Sequence, residues 1–175
     1  MAGYSFASRA LHWLTALLVL AAFVFSVGGP EVRVFAEANK GLLTLHESLG
    51  IAVFATTLFR LAHRRWARPP DPVSMPVWMH QAALATRLLL YFLLVFLPLS
   101  AIVGSWIEGH AFSLYFVGAI ASPWTASPEL GQSILSVHKL AGDAIMWLAG
   151  IHAAAALFHH FILKDNVLRS MLVSS

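Results

Sequence analysis

A bilayer core takes about 20 apolar residues per helix, and four stretches of this 175-residue chain meet that length, at about 7–27, 41–62, 82–106 and 132–163. With no water to satisfy backbone polar groups inside a membrane, such segments have to be helical. The expected fold class is therefore all-α: a single membrane-embedded four-helix bundle spanning residues 1–175. Composition agrees, at 59% hydrophobic and 11% charged, because a soluble domain has about a quarter of its residues charged.

The borders of the stretches carry their own signals. Gly28, Gly29 and Pro30 close the first, His63, Arg64 and Arg65 stop the second, and the third contains Pro98, an expected kink. The fourth is about 32 residues long and ends at Lys164 and Asp165. That exceeds a straight span, so it is expected to tilt or protrude. Arg9 precedes the first run, but His12 and Trp13 interrupt its start and no small-x-small cleavage site follows. The first helix is expected to stay as an anchor.

Orientation follows from the basic residues. Arg9, Arg60, Arg64, Arg65, Arg68, Lys164 and Arg169 flank the N-terminus, the second loop or the C-terminus. The first and third loops offer only Arg33 and Lys40, opposed by Glu31, Glu37, Glu108 and Glu129. Both termini are expected to be cytoplasmic, with Trp66 and Trp78 at the inner interface and Trp106, Tyr115 and Trp124 at the outer one. Pro69-Pro70-Asp71-Pro72, with Pro76 beyond, reads as a stiff inner connector. The third loop, Glu108 to Gly131, is long for a bundle and has room for a short interfacial helix.

The chain has nine histidines and no cysteine. Thiolate metal sites and disulfides are excluded, so a metal is held by His, Met or carboxylate, or arrives inside a cofactor. A polar ring inside hydrocarbon is costly, which makes an intramembrane histidine a functional candidate. His12 lies a few residues in from the cytoplasmic face and His46 a few residues in from the outer face. His138 is near the outer end of the fourth helix, and His152 follows it by about four helical turns. That spacing drops the second ring by roughly 21 Å and leaves the two within about 40° of each other around the helix. One helix thus offers a ring at each level, with His46 completing an outer pair and His12 an inner pair.

Two bis-histidine haems need this arrangement: haem iron takes two axial imidazoles, and a four-helix bundle can bury the macrocycle. Propionates want cations, for which Arg9 and Arg87 are candidates at the inner level and Lys139, Lys40 and Arg33 at the outer one. Gly50, Gly142 and Gly150 lie beside the histidines and would let a flat ring approach the backbone. His159, seven residues below His152, competes with it as the inner ligand or, with His160, faces propionates or a quinone. His63, His80 and His110 read as interfacial side chains. Asp143 and Glu47 read as solvated, paired or proton-handling groups, and the tryptophans as belt and packing residues.

Arg9-Ala10-Leu11-His12-Trp13-Leu14, His46-Glu47-Ser48-Leu49-Gly50 leading to Arg60, and Leu90-Tyr91 followed by Pro98 and Gly104 resemble the bacterial cytochrome b561 family. So does the fourth helix, through Val137-His138-Lys139, Gly150-Ile151-His152, Leu157-Phe158-His159-His160-Phe161 and Lys164-Asp165-Asn166. The resemblance covers nearly the whole chain. It implies a bacterial inner-membrane protein with two haem b groups, His12 and His152 matching the ligands of one and His46 and His138 those of the other. For one branch it also implies oxidation of superoxide at the outer side and reduction of ubiquinone. Many members have His where this chain has Arg87, and an acid where it has Lys139. The second change makes the outer mouth more positive, which suits an anionic substrate.

The leading expectation is transmembrane electron transfer from superoxide, drawn in past Arg33, Lys40 or Lys139, to a quinone near His159, Lys164 and Arg87. A second reading is a cytochrome b subunit that passes electrons between a partner dehydrogenase or hydrogenase and quinone. A third, a metal transporter, suits the spacing poorly, because pairs about 20 Å apart do not build one cage. No nucleic-acid partner is expected.

Overall fold

In the computed structural model the chain is described over residues 3–26, 34–67 and 73–172. Helix α1, Phe6–Val24, starts where the Ser5 hydroxyl accepts the Ser8 N–H at 3.3 Å. A short 3-10 turn, Glu37–Asn39, runs straight into α2, Lys40–His63. Helix α3 spans Val77–Glu108 and stops at Gly109, whose φ of 100° lets His110 N–H reach Ser105 O at 2.9 Å. Helix α4 covers Pro128–Phe158, with proline at its first turn where the missing N–H costs nothing. It ends in one π-helical turn, His159–Leu163, closed by Lys164 at φ 55°. A last turn, α5, spans Arg169–Leu172.

All four long helices have the length and hydropathy of membrane spans. Their borders depart from the expected ones in a consistent way. Helices α3 and α4 begin at Val77 and Pro128, four or five residues before the apolar runs at 82 and 132. Hydropathy marks where hydrocarbon begins, and a helix continues past it into the interface. The first helix ends at Val24 instead of Val27. Val27 to Arg33 and the Pro69-Pro70-Asp71-Pro72 connector lie outside the described residues.

The third loop corrects an expectation. It holds no interfacial helix; instead β1, Phe112–Leu114, pairs antiparallel with β2, Gly118–Ile120, in the register Phe112↔Ile120. Gly118 at φ 88° supplies the left-handed residue that the tight reversal requires. Three hydrogen bonds fasten this hairpin to the N-terminal end of α2. Ser113 N–H donates to Glu47 Oε2 at 2.8 Å, Tyr115 N–H to Ser48 Oγ at 3.1 Å, and the Tyr115 hydroxyl to Gly41 O at 3.2 Å. Beside it, Phe35 of the first loop stacks on His110 with ring centres 3.6 Å apart.

The buried core is small and central: Val53 of α2, Leu93 and Leu94 of α3 and Ile145 of α4. Val53 lies seven residues after His46, and Ile145 is midway between His138 and His152. An apolar layer therefore separates the two histidine levels. Helices α3 and α4 approach most closely at Gly104, where an added Cβ would sit 2.7 Å from Leu135 Cδ2, and at Gly131, where it would run into the Glu108 backbone. Large apolar side chains such as Leu17, Phe92, Trp147 and Ile151 point outward, the inverse of a soluble bundle. The two chain ends meet at one end of the bundle: Trp13 Nε1–H donates to Met171 O at 3.0 Å and Tyr4 N–H to Ser170 O at 3.4 Å.

Candidate functional site

At the level expected to be outer, His46 of α2 faces His138 of α4 with ring centroids 6.2 Å apart. Each ring is tethered through Nδ1. His46 Nδ1 lies 2.7 Å from Ala22 O of α1, and His138 Nδ1 lies 2.9 Å from Leu97 O and 3.2 Å from Ser100 Oγ of α3. A carbonyl only accepts, so both Nδ1 atoms carry the proton and both Nε2 atoms keep a lone pair for a metal. Backbone and side-chain groups of α1 and α3 thus fix the orientation of two rings.

At the level expected to be inner, His12 of α1 faces His152 of α4 with centroids 6.3 Å apart. Here the neighbouring group is a cation. Arg60 Nη2 of α2 lies 3.2 Å from His12 Nδ1, and the same guanidinium lies over the Tyr91 ring of α3 at 5.6 Å.

These spacings discriminate between kinds of metal site. A metal–imidazole bond of about 2 Å on each side of one iron, plus about 1 Å from nitrogen to ring centre, sets two axial rings about 6 Å apart. Both pairs have that separation. A pair also supplies too few donors for a closed four-ligand cage, and among the described residues no three His, Cys, Asp or Glu side chains converge as a metal site. An added Cβ at Gly50, Gly142 or Gly150 would meet nothing within 4 Å, so the backbone beside the histidines is open to a flat ring. The residues present fit haem held by paired imidazoles.

A family model for prokaryotic cytochrome b561 matches residues 3–173. The chain belongs to the prokaryotic cytochrome b561 family. It is 32% identical over 168 residues to cytochrome b561 homolog 1 of Escherichia coli strain K12, covering 93% of this chain and 92% of that one. It is 31% identical to the probable superoxide oxidase CybB of Yersinia pestis, covering 97% and 95% of the two chains, and 31% identical to cytochrome b562 of Cereibacter sphaeroides with the same coverage. Transmembrane electron transfer, haem b binding and a multi-pass membrane protein follow from the family.

The remaining candidates are scattered. Arg9 is buried on α1, three residues before His12, whereas Arg87 is exposed on α3 with no hydrogen-bond or ion-pair partner among the described residues. Lys40 is ion-paired to Glu37 at 3.1 Å, Lys139 is exposed beside His138, and Arg33 lies outside the described residues. His159 is not brought to His12; its Nδ1 lies 2.5 Å from Asp165 Oδ2, with exposed Lys164 next to that pair. Partial burial alone would raise the Asp165 carboxyl, but the His159 ring and the Val167 N–H hold it below the ordinary carboxylate range.

Sequence reasoning gave Arg60 no role at the site and read Glu47 only as a solvated, paired or proton-handling group. Arg60 reads, from sequence, as one more basic residue near the end of a span; its place about four helical turns after His46 was the available signal. Glu47 is 4% exposed, with Oε2 accepting from Ser113 and Oε1 buried without a partner among the described residues. It clasps the hairpin directly beside an outer histidine.

Proposed function

We propose that this cytochrome carries two haem b groups, an inner one held by His12 and His152 and an outer one by His46 and His138, and that it oxidises superoxide to oxygen on the periplasmic side of a bacterial inner membrane while reducing ubiquinone. The observation that carries the reading is the pair of imidazole couples at 6.2 and 6.3 Å, set on opposite sides of one apolar layer. Each bound haem b supplies a one-electron couple at its level. The overall reaction balances: two superoxide anions release one electron each and leave as oxygen, and one quinone takes two electrons and two protons to become quinol.

The chain's own residues have distinct tasks. Ala22, Leu97 and Ser100 hold the outer rings in the Nδ1–H tautomer, and Arg60 sets a fixed positive charge beside His12. Among the described residues Lys139 is the outer cation free to steer a small anion, since Lys40 is paired with Glu37. His159 and Asp165, near the end that carries both termini, form a hydrogen-bonded acid–base pair suited to passing protons to a reduced quinone. Similarity to the probable superoxide oxidase CybB supports the choice of donor.

The test is superoxide consumption coupled to reduction of a soluble quinone by the purified, haem-loaded protein. Oxygen and quinol should form in the ratio two to one. The rate should fall as salt rises, since steering between charges is screened over about 10 Å at 0.1 M, and Lys139→Glu should slow it further. A haem-replete protein inert toward superoxide would exclude this donor and point to a protein donor instead.

A further inference from the structure

Helix α2 repeats the geometry of α4 with one substitution of chemistry. On α4, His138 is followed about four helical turns later by His152; on α2, His46 is followed at the identical sequence spacing by Arg60. Both lower groups therefore lie within about 40° of the upper histidine on their helix and roughly 21 Å below it. The arginine occupies the inner level on the histidine-bearing face, not a random spot at the end of a span.

A guanidinium at that position needs a reason. A cation within a span is costly and is normally paired. Yet the only ion pairs among the described residues are Lys40 with Glu37 and His159 with Asp165. Arg60 is half-buried, places Nη2 on His12 Nδ1 and lies over the face of Tyr91. A guanidinium cannot lose its charge, and here that charge lies 3.2 Å from a ring nitrogen of the inner couple.

We infer that Arg60 tunes the inner redox site: its fixed charge, beside His12, holds the midpoint potential of the inner haem above the value that site would otherwise have. The inference rests on the two-haem reading above. A positive charge beside an iron disfavours the more positive ferric state and so favours arrival of an electron. Among the described residues no charged side chain hydrogen-bonds either outer ring, whose Nδ1 atoms face neutral carbonyls and a hydroxyl. The asymmetry drives electrons from the outer couple toward the inner one.

Redox titration of the haem absorption bands in purified wild type, Arg60→Gln and Arg60→Lys tests this. Wild type should titrate in two one-electron steps. Arg60→Gln should move one step to more negative potential and leave the other in place, and Arg60→Lys should return it most of the way. The His138→Ala protein, which retains only the inner haem on this reading, assigns the step that moves. Two haems with both steps unmoved in Arg60→Gln, or both moved equally, overturn the role of Arg60 alone. A single haem in wild type overturns the two-haem reading and the inference with it. Should Arg60→Gln shed the inner haem, Arg60→Lys decides: a retained haem at near-native potential supports the charge, and loss of that haem from the lysine variant also overturns it.

Discussion

His159 Nδ1 and Asp165 Oδ2 lie 2.5 Å apart across the π-helical turn that ends α4. The contact exists because Lys164 adopts a left-handed backbone, φ 55°, which turns the chain so that Asp165 N–H reaches His159 O at 3.2 Å. A non-glycine residue in that region is strained, and such strain gathers at functional turns.

A carboxyl held below its ordinary value of about 3.9 stabilises the folded state above that pH and loses the contribution as pH falls through the folded value. Asp165→Asn should therefore unfold at a lower temperature than wild type near neutral pH, and the two should converge below about pH 4. Thermal unfolding of both proteins in detergent across that range checks it. A gap that persists undiminished into acid would count against the pairing.

Removing a ligand should remove one haem and spare the other. His138→Ala and His152→Ala are each expected to bind about one haem per chain, with the two proteins differing in band position. Pyridine haemochrome quantification and low-temperature spectra measure this. Retention of two haems by either variant would break the assigned pairing.

The hairpin should depend on Glu47. A hydrogen bond of this kind contributes about 0.5–1.5 kcal/mol, so Glu47→Ala should lower stability by that order and open the Phe112–Ile120 segment to protease. Glu47→Gln keeps an acceptor for Ser113 N–H and should cost less. Limited proteolysis with mass mapping, alongside thermal melts, distinguishes the two variants.

The glycines separate packing from cofactor access. Gly131→Ala forces a methyl against the Glu108 backbone, which cannot rotate away, and overpacking of that kind costs about 1–3 kcal/mol. Gly50→Ala meets nothing within 4 Å and should leave the stability of the haem-free protein unchanged or slightly raised. Melts of the two haem-free variants compare these directly.

The spans and the histidine levels could be read from residue order because both are periodic: hydrocarbon thickness sets a run length, and about four helical turns return a side chain to nearly the same face. What escaped reading is not periodic. The start of α3 at Val77 is set by Pro76 and the interface, where hydropathy carries no signal. The hairpin comes from three-residue strands too short to show alternation, and only Gly118 marked the turn. Arg60 was concealed by the charge rule that reads basic residues near span ends as orientation markers, and its phase relative to His46 was the better guide. The choice of His152 over His159 to face His12 rests on tertiary contacts, since both lie on one stripe and only the fold draws His159 to Asp165.

The stripe His138–Ile145–His152 also quantises the length of α4. One residue inserted after Ile145 would swing the lower ring by about 100°, away from His12. Seven would bring it back to nearly the same bearing but about 10 Å too deep. The number of residues between the two rings is thus fixed by the depth and bearing that both must keep.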